Sequence, residues 1–89
     1  MPVMVELTLK IDAATYQAMH GQILPVARKA GMLFHSGREV EGGIGVVDFW
    51  PSAEVFQAFL DGPITDGMKA MKLEVPDDVK ITPVLTADT

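Results

Sequence analysis

The sequence predicts an α+β fold in the order strand, helix, strand, strand, helix, strand, and three stretches carry that reading. Val3, Val5, Leu7, Leu9 and Ile11 alternate with Met4, Glu6, Thr8 and Lys10, the period of a strand covered on one face. Tyr16, Met19, His20, Ile23, Ala27 and Ala30 then recur at helical spacing between Asp12 and Gly31. The third stretch, GGIGVVDFWPSAEVFQAFL from Gly42 to Leu60, joins a glycine turn, a strand apolar on both sides and a capped helix.

Each element has its own start and stop signals. Asp12 is the expected N-cap of the first helix and Gly31 its stop, with Arg28 and Lys29 at the negative end of the helix dipole. Met32 to Arg38 reads as the second strand, and the polar run GREVEGG from Gly37 to Gly43 as the hairpin turn that follows. Ile44, Val46, Asp48 and Trp50 alternate with Gly45, Val47 and Phe49 in the third strand, which therefore expects cover on both faces. Pro51 ends it. Ser52 caps the second helix, Glu54 sits in its first turn, and Val55, Phe56, Phe59 and Leu60 form its apolar face. Gly62-Pro63 should break the chain before a short third helix carrying Ile64, Met68 and Met71. Val75-Pro76-Asp77-Asp78 reads as a turn and Val79 to Thr86 as the last strand. Pro83 cannot donate to a ladder, so that strand is expected at a sheet edge.

This order is the split βαβ, ferredoxin-like plan with an antiparallel sheet, expected to span residues 1–89 as a single domain. Its helices cover one side of the sheet. The other side carries part of the apolar set, for example Val47, Phe49 and Val84, and a second copy related by a twofold axis is the economical cover. The expected assembly is therefore a homodimeric α/β barrel.

Composition narrows the function classes. Zero cysteines exclude disulfides, thiolate metal sites and cysteine nucleophiles, and fit a cytoplasmic protein. A net charge of −5 with seven Lys and Arg lacks the basic footprint of a nucleic-acid or anionic-membrane binder. No apolar run approaches a membrane span. The two histidines have no HxxxH or HxH spacing, so no metal is expected. The glycines of EGGIG precede a strand instead of a helix N-terminus, so no phosphate cradle is expected. No cofactor is implied.

The heptapeptide WPSAEVF, Trp50 to Phe56, resembles the W-x-S-x-E-x-F signature of the dimeric α/β barrel superfamily, in particular its antibiotic biosynthesis monooxygenase-like branch, among whose small actinobacterial members the likeness spans essentially the whole chain. The resemblance implies a ligand cavity between sheet and helices. It does not carry over either characterised chemistry intact. Cofactor-independent quinone-forming members pair the motif Trp with an Asn on strand three and end the motif in Tyr; here Trp50 is kept, but those positions are Val46 and Phe56. Heme-degrading members use an Asn on the first strand, a Trp on helix two and a His beyond it. The last two align with Phe59 and Lys69, and the chain has no Asn.

The remaining groups able to work near neutral pH are His35 and His20, since unperturbed histidine titrates at about 6.5. His35 is the candidate general base on an acidic phenol or enol; its ordinary alternative is a hydrogen-bonded strand-edge histidine. His35 shares strand parity with Leu33, with Met32 and Phe34 on the other face. His20 is either a secondary hydrogen-bonding group or amphipathic cover. Asp48, polar on an apolar strand, is a base or an orienting partner of His35 if it faces inward, or else a surface ion pair with Arg38 across the hairpin. Trp50 either walls a substrate pocket or fills the core. Tyr16, Phe34, Phe56, Phe59 and Met68 complete the candidate substrate-binding set.

Two functions follow. One is a small enzyme acting by acid–base chemistry on a hydrophobic or aromatic small molecule, as a cofactor-independent monooxygenase or an isomerase or cyclase. The other is a non-catalytic homodimeric ligand-binding or sensory module, favoured if both histidines point away from the pocket.

Overall fold

A computed structural model describes residues 1–88. The strands are β1 (Val3–Leu9), β2 (Phe34–Val40), β3 (Gly43–Trp50) and β4 (Lys80–Pro83), and the helices α1 (Ala13–Ala30), α2 (Ala53–Phe59) and α3 (Thr65–Ala70), with a π turn, Leu60–Ile64, between the last two. They form one four-stranded sheet of order β2-β3-β1-β4, antiparallel throughout. This is the ferredoxin-like arrangement, with Pro83 on an edge strand as expected.

The local signals act where the sequence places them. Asp12 accepts from the Thr15 N–H at 2.7 Å, and Ser52 accepts from the Val55 N–H at 3.2 Å, each satisfying an orphan donor. Gly31, at φ 119°, closes α1. Its N–H bonds the Arg28 carbonyl, and the Met32 N–H bonds that of Ala27, the Schellman pattern. Period two sends Val3, Val5, Leu7 and Leu9 of β1, with Ile44, Val46, Asp48 and Trp50 of β3, toward the helices. There Val3, Val5, Ala27, Trp50, Phe56 and Phe59 form the core.

Three boundaries differ from the sequence expectation. The hairpin turn is only Glu41-Gly42, because Val40 already pairs with Gly43; Gly42, at φ 88°, supplies the positive φ such a tight turn needs. Strand β2 therefore runs to Val40, and Met32 lies before it, in the closure of α1 and against the core, rather than on the face of Phe34. Gly62-Pro63 does not break the chain: both sit inside the π turn, whose i to i+5 bonding does without the hydrogen bond proline cannot make. The Thr65 hydroxyl donates to the Leu60 carbonyl at 2.6 Å and steadies this turn. Strand β4 spans only Lys80–Pro83, and just before it begins the Thr8 N–H of β1 donates to the Asp78 carboxylate at 2.9 Å.

The far face of the sheet is mixed. Phe34 is 45% exposed and packs edge-on against Phe49, while Glu6, Thr8, Arg38 and Lys80 share a polar groove with Val47.

Candidate active site

Residues 16, 20, 23 and 27 fall on one stripe of α1, and this stripe faces the sheet across a cavity. Opposite it, the hairpin register pairs His35 directly with Asp48, so both side chains leave the same face. Trp50, two residues on, shares that face. One short turn thus sets three polar groups in a row.

The row is continuous. Tyr16 Oη lies 2.5 Å from His35 Nε2, His35 Nδ1 lies 2.6 Å from Asp48 Oδ1, and Trp50 Nε1–H donates to Asp48 Oδ2 at 3.3 Å. A carboxylate only accepts, so Nδ1 carries the imidazole hydrogen. In the neutral ring Nε2 is then the acceptor, and the Tyr16 O–H donates to it. Burial first, and the Asp48 charge second, push the Tyr16 phenol above its ordinary value, so at neutral pH it is an O–H donor and not a phenolate. Asp48 is 7% exposed, and among the described residues no buried side-chain polar atom lacks a partner.

Gly37 makes room for this row. It follows His35 by two on the same face, and a Cβ there would strike the Tyr16 hydroxyl and ring. In sequence it reads as part of a turn. The signal available was its place two residues beyond a candidate histidine.

The cavity measures about 80 Å³ and lies between α1, the sheet and the α2–α3 segment. Of the candidate residues, Tyr16, His20, His35, Asp48, Phe56, Phe59 and Met68 line it. The His20 ring lies 5.4 Å from that of His35 and 5.7 Å from that of Tyr16, centroid to centroid. Two candidates lie elsewhere. Trp50, at 0% exposure, stands behind the lining, packed on Phe56 and Phe59; it touches Asp48 and not the cavity. Phe34 is on the far face, because its even position in β2 is the opposite parity to His35. Parity also overturns the expected Asp48–Arg38 pair: Arg38 stands opposite Gly45, its guanidinium laid over that glycine.

Among the described residues no three His, Cys, Asp or Glu side chains group as a metal site, and no helix is long and apolar enough to cross a membrane.

No protein-family model and no curated protein matches this chain. Solved structures do. A mutant of MhuD with two manganese protoporphyrin IX molecules bound per active site matches with TM-score 0.55 at 20% identity, over 100% of this chain and 99% of the other. The heme-degrader MhuD from Mycobacterium tuberculosis, with two hemes in its active site, matches with TM-score 0.50 at 20% identity over 100% of both chains. The whole-length likeness establishes that this chain has the ferredoxin-like α+β fold of MhuD.

Proposed function

We propose that this chain is a small enzyme that moves protons on a hydrophobic or aromatic molecule held between sheet and helices. One observation carries the reading: the Tyr16–His35–Asp48 hydrogen-bond chain ends at an otherwise apolar cavity. As a substrate C–H or O–H proton passes to Tyr16 Oη, the Tyr16 hydroxyl proton passes to His35 Nε2. The electron pair stays on the substrate as a carbanion or oxyanion, and the phenol is restored. The new imidazolium is held by Asp48, whose carboxylate already faces Nδ1. Return of the proton at another substrate atom completes an isomerisation or cyclisation. If dioxygen, the oxidant, meets the carbanion first, the same start leads to oxygenation.

His35 is thus the base and Tyr16 its relay to the cavity. Trp50 holds the second oxygen of Asp48 and is a positioning residue. His20, beside both rings, is a second hydrogen-bonding group for the ligand.

Heme, bound by MhuD, is not the substrate in this reading. The cavity, about 80 Å³, is well short of the roughly 300–1,000 Å³ of drug-sized sites. Lys69, aligned with the histidine of heme-degrading relatives, is exposed on α3 and absent from the cavity lining.

A single domain over residues 1–89, paired with a second copy across the Phe34 and Phe49 face and working in the cytoplasm, completes the proposal. Static light scattering should return twice the chain mass; the mass of one chain removes the pairing. The reading of a ligand-binding module keeps one specific support, that the Tyr16 hydroxyl covers His35 Nε2.

Mass spectrometry of small molecules that co-purify under native conditions supplies a substrate for the test. His35→Ala should abolish its turnover and Tyr16→Phe should lower it by a factor of about 10²–10⁴, the ordinary range for a proton-transferring group. Unchanged turnover in His35→Ala removes the acid–base reading, and binding without conversion by the wild type selects the binding module.

A further inference from the structure

The charges around the cavity restrict its ligand further than its shape does. The chain has seven Lys and Arg, and all seven, Lys10, Arg28, Lys29, Arg38, Lys69, Lys72 and Lys80, are exposed. None lines the cavity, whose one acidic side chain is Asp48. Lys10 is engaged at the surface by Glu74 at 3.2 Å, and Arg38 lies on the far face of the sheet. A carboxylate or phosphate entering here loses its water, gains no Lys or Arg and meets Asp48, so burying it is unfavourable.

The polar groups are also gathered at one end. Tyr16, His20, His35 and Asp48 form a corner, and the rest of the wall is side chains such as Leu7, Ile23, Phe56, Phe59 and Met68. A ligand with one polar atom can satisfy that corner, whereas a second polar atom at its other end would be buried against hydrocarbon. Size gives a third limit. The cavity volume of about 80 Å³ is below the roughly 150 Å³ of a dry cavity known to hold benzene, and Met19, Met32 and Met68 in the wall are the side chains best able to give way.

We infer that the cavity is a binding site for an uncharged molecule of at most one ring that carries a single hydroxyl, which donates to Tyr16 Oη and lies beside His20. The inference rests on the proposed cavity reading but not on proton transfer occurring there. It names the ligand class of the site and excludes carboxylates, phosphate esters and porphyrins with their propionates.

The test uses the whole chain with isotope-labelled methionine methyl groups and histidine rings, titrated at neutral pH with phenol, benzoate and hemin. Phenol is expected to shift the Met19, Met68 and His20 signals, and benzoate to bind at least tenfold more weakly, a difference of about 1.4 kcal/mol. Hemin is expected to leave these signals in place. Benzoate binding as tightly as phenol, or hemin displacing phenol at one equivalent, overturns the inference. So does a failure of all three to reach the methionine methyls, and that result leaves the Tyr16–His35 proton relay untouched, because turnover of a co-purified substrate reads the relay separately. Conversely, phenol selectivity with unchanged turnover in His35→Ala keeps the ligand class and removes the relay.

Discussion

Replacing Gly37 by alanine tests the geometry of the site without touching any of its polar groups. The new Cβ would collide with the Tyr16 hydroxyl and come within 2.6 Å of Tyr16 Cζ, closer than packed atoms sit. The ring is rigid, so the whole phenol must swing away, and it cannot do so while keeping the bond to His35 Nε2. Overpacking of this kind costs about 1–3 kcal/mol, and a lost bond that leaves a part-buried acceptor bare costs about 1–3 kcal/mol. The two are alternatives more than additions, since the swing relieves the clash, so the expected loss is about 1–3 kcal/mol. In a Tyr16→Ala background nothing remains to collide, and Gly37→Ala should be neutral or stabilise by about 0.4–1 kcal/mol through the unfolded chain. Urea unfolding of the four proteins, with m near 1–3 kcal/mol/M, resolves a coupling of this size. Equal costs in the two backgrounds would show that Tyr16 does not occupy the space above Gly37, and the hydrogen-bonded row would lose its first member.

Other consequences follow from the same contacts. Tyr16 is the only tyrosine, so tyrosinate absorbance reports it alone. Because its folded value is raised, its contribution to stability is full below the unfolded value near 10 and is lost as pH rises through the folded one. Ionisation at or below the ordinary value would contradict the burial described. Trp50→Phe keeps most of the buried ring and removes the donor to Asp48 Oδ2. It should destabilise by about 1–3 kcal/mol and, with a substrate in hand, lower kcat more than it raises KM; a change in KM alone would return Trp50 to the pocket wall. Lys72 sits at φ 58° where α3 ends in a Schellman closure, the Leu73 N–H bonding Met68 and the Lys72 N–H bonding Lys69. Lys72→Gly should therefore raise stability by about 0.5–1 kcal/mol, seen as a higher urea midpoint, and a lower midpoint would contradict the left-handed geometry.

What the sequence made legible was what local chemistry decides. Asp12, Gly31 and Ser52 set helix ends through atoms one to four residues away, and the alternation in β1 and β3 names the faces without any knowledge of neighbours. The hairpin was harder, since GREVEGG has turn-forming composition throughout, yet only Glu41-Gly42 turns. The polar residues Arg38 and Glu39 belong to an edge strand, and Gly37 is small because Tyr16 lies over it. That error in turn length propagated to the site. With a seven-residue turn Asp48 would stand opposite Met32; with a two-residue turn the register sets it opposite His35. The candidates Tyr16, His20, His35 and Asp48 could be picked by type and face, but their order of contact is a property of strand register, which no single side chain announces. Gly62-Pro63 failed as a break for a related reason: the rule assumes α geometry, and the chain continues through a π turn instead.

The proposed relay requires His35 to be a hydrogen-bonded link with a fixed tautomer, and nitrogen NMR of the ring reads that tautomer. With two histidines in the chain, assignment needs one His20→Gln control. At neutral pH the neutral ring of His35 should carry its hydrogen on Nδ1 and leave Nε2 as the acceptor from Tyr16, and Asp48→Asn should abolish that preference. A ring protonated on Nε2, or a mixture indifferent to Asp48→Asn, would contradict the relay and the function built on it.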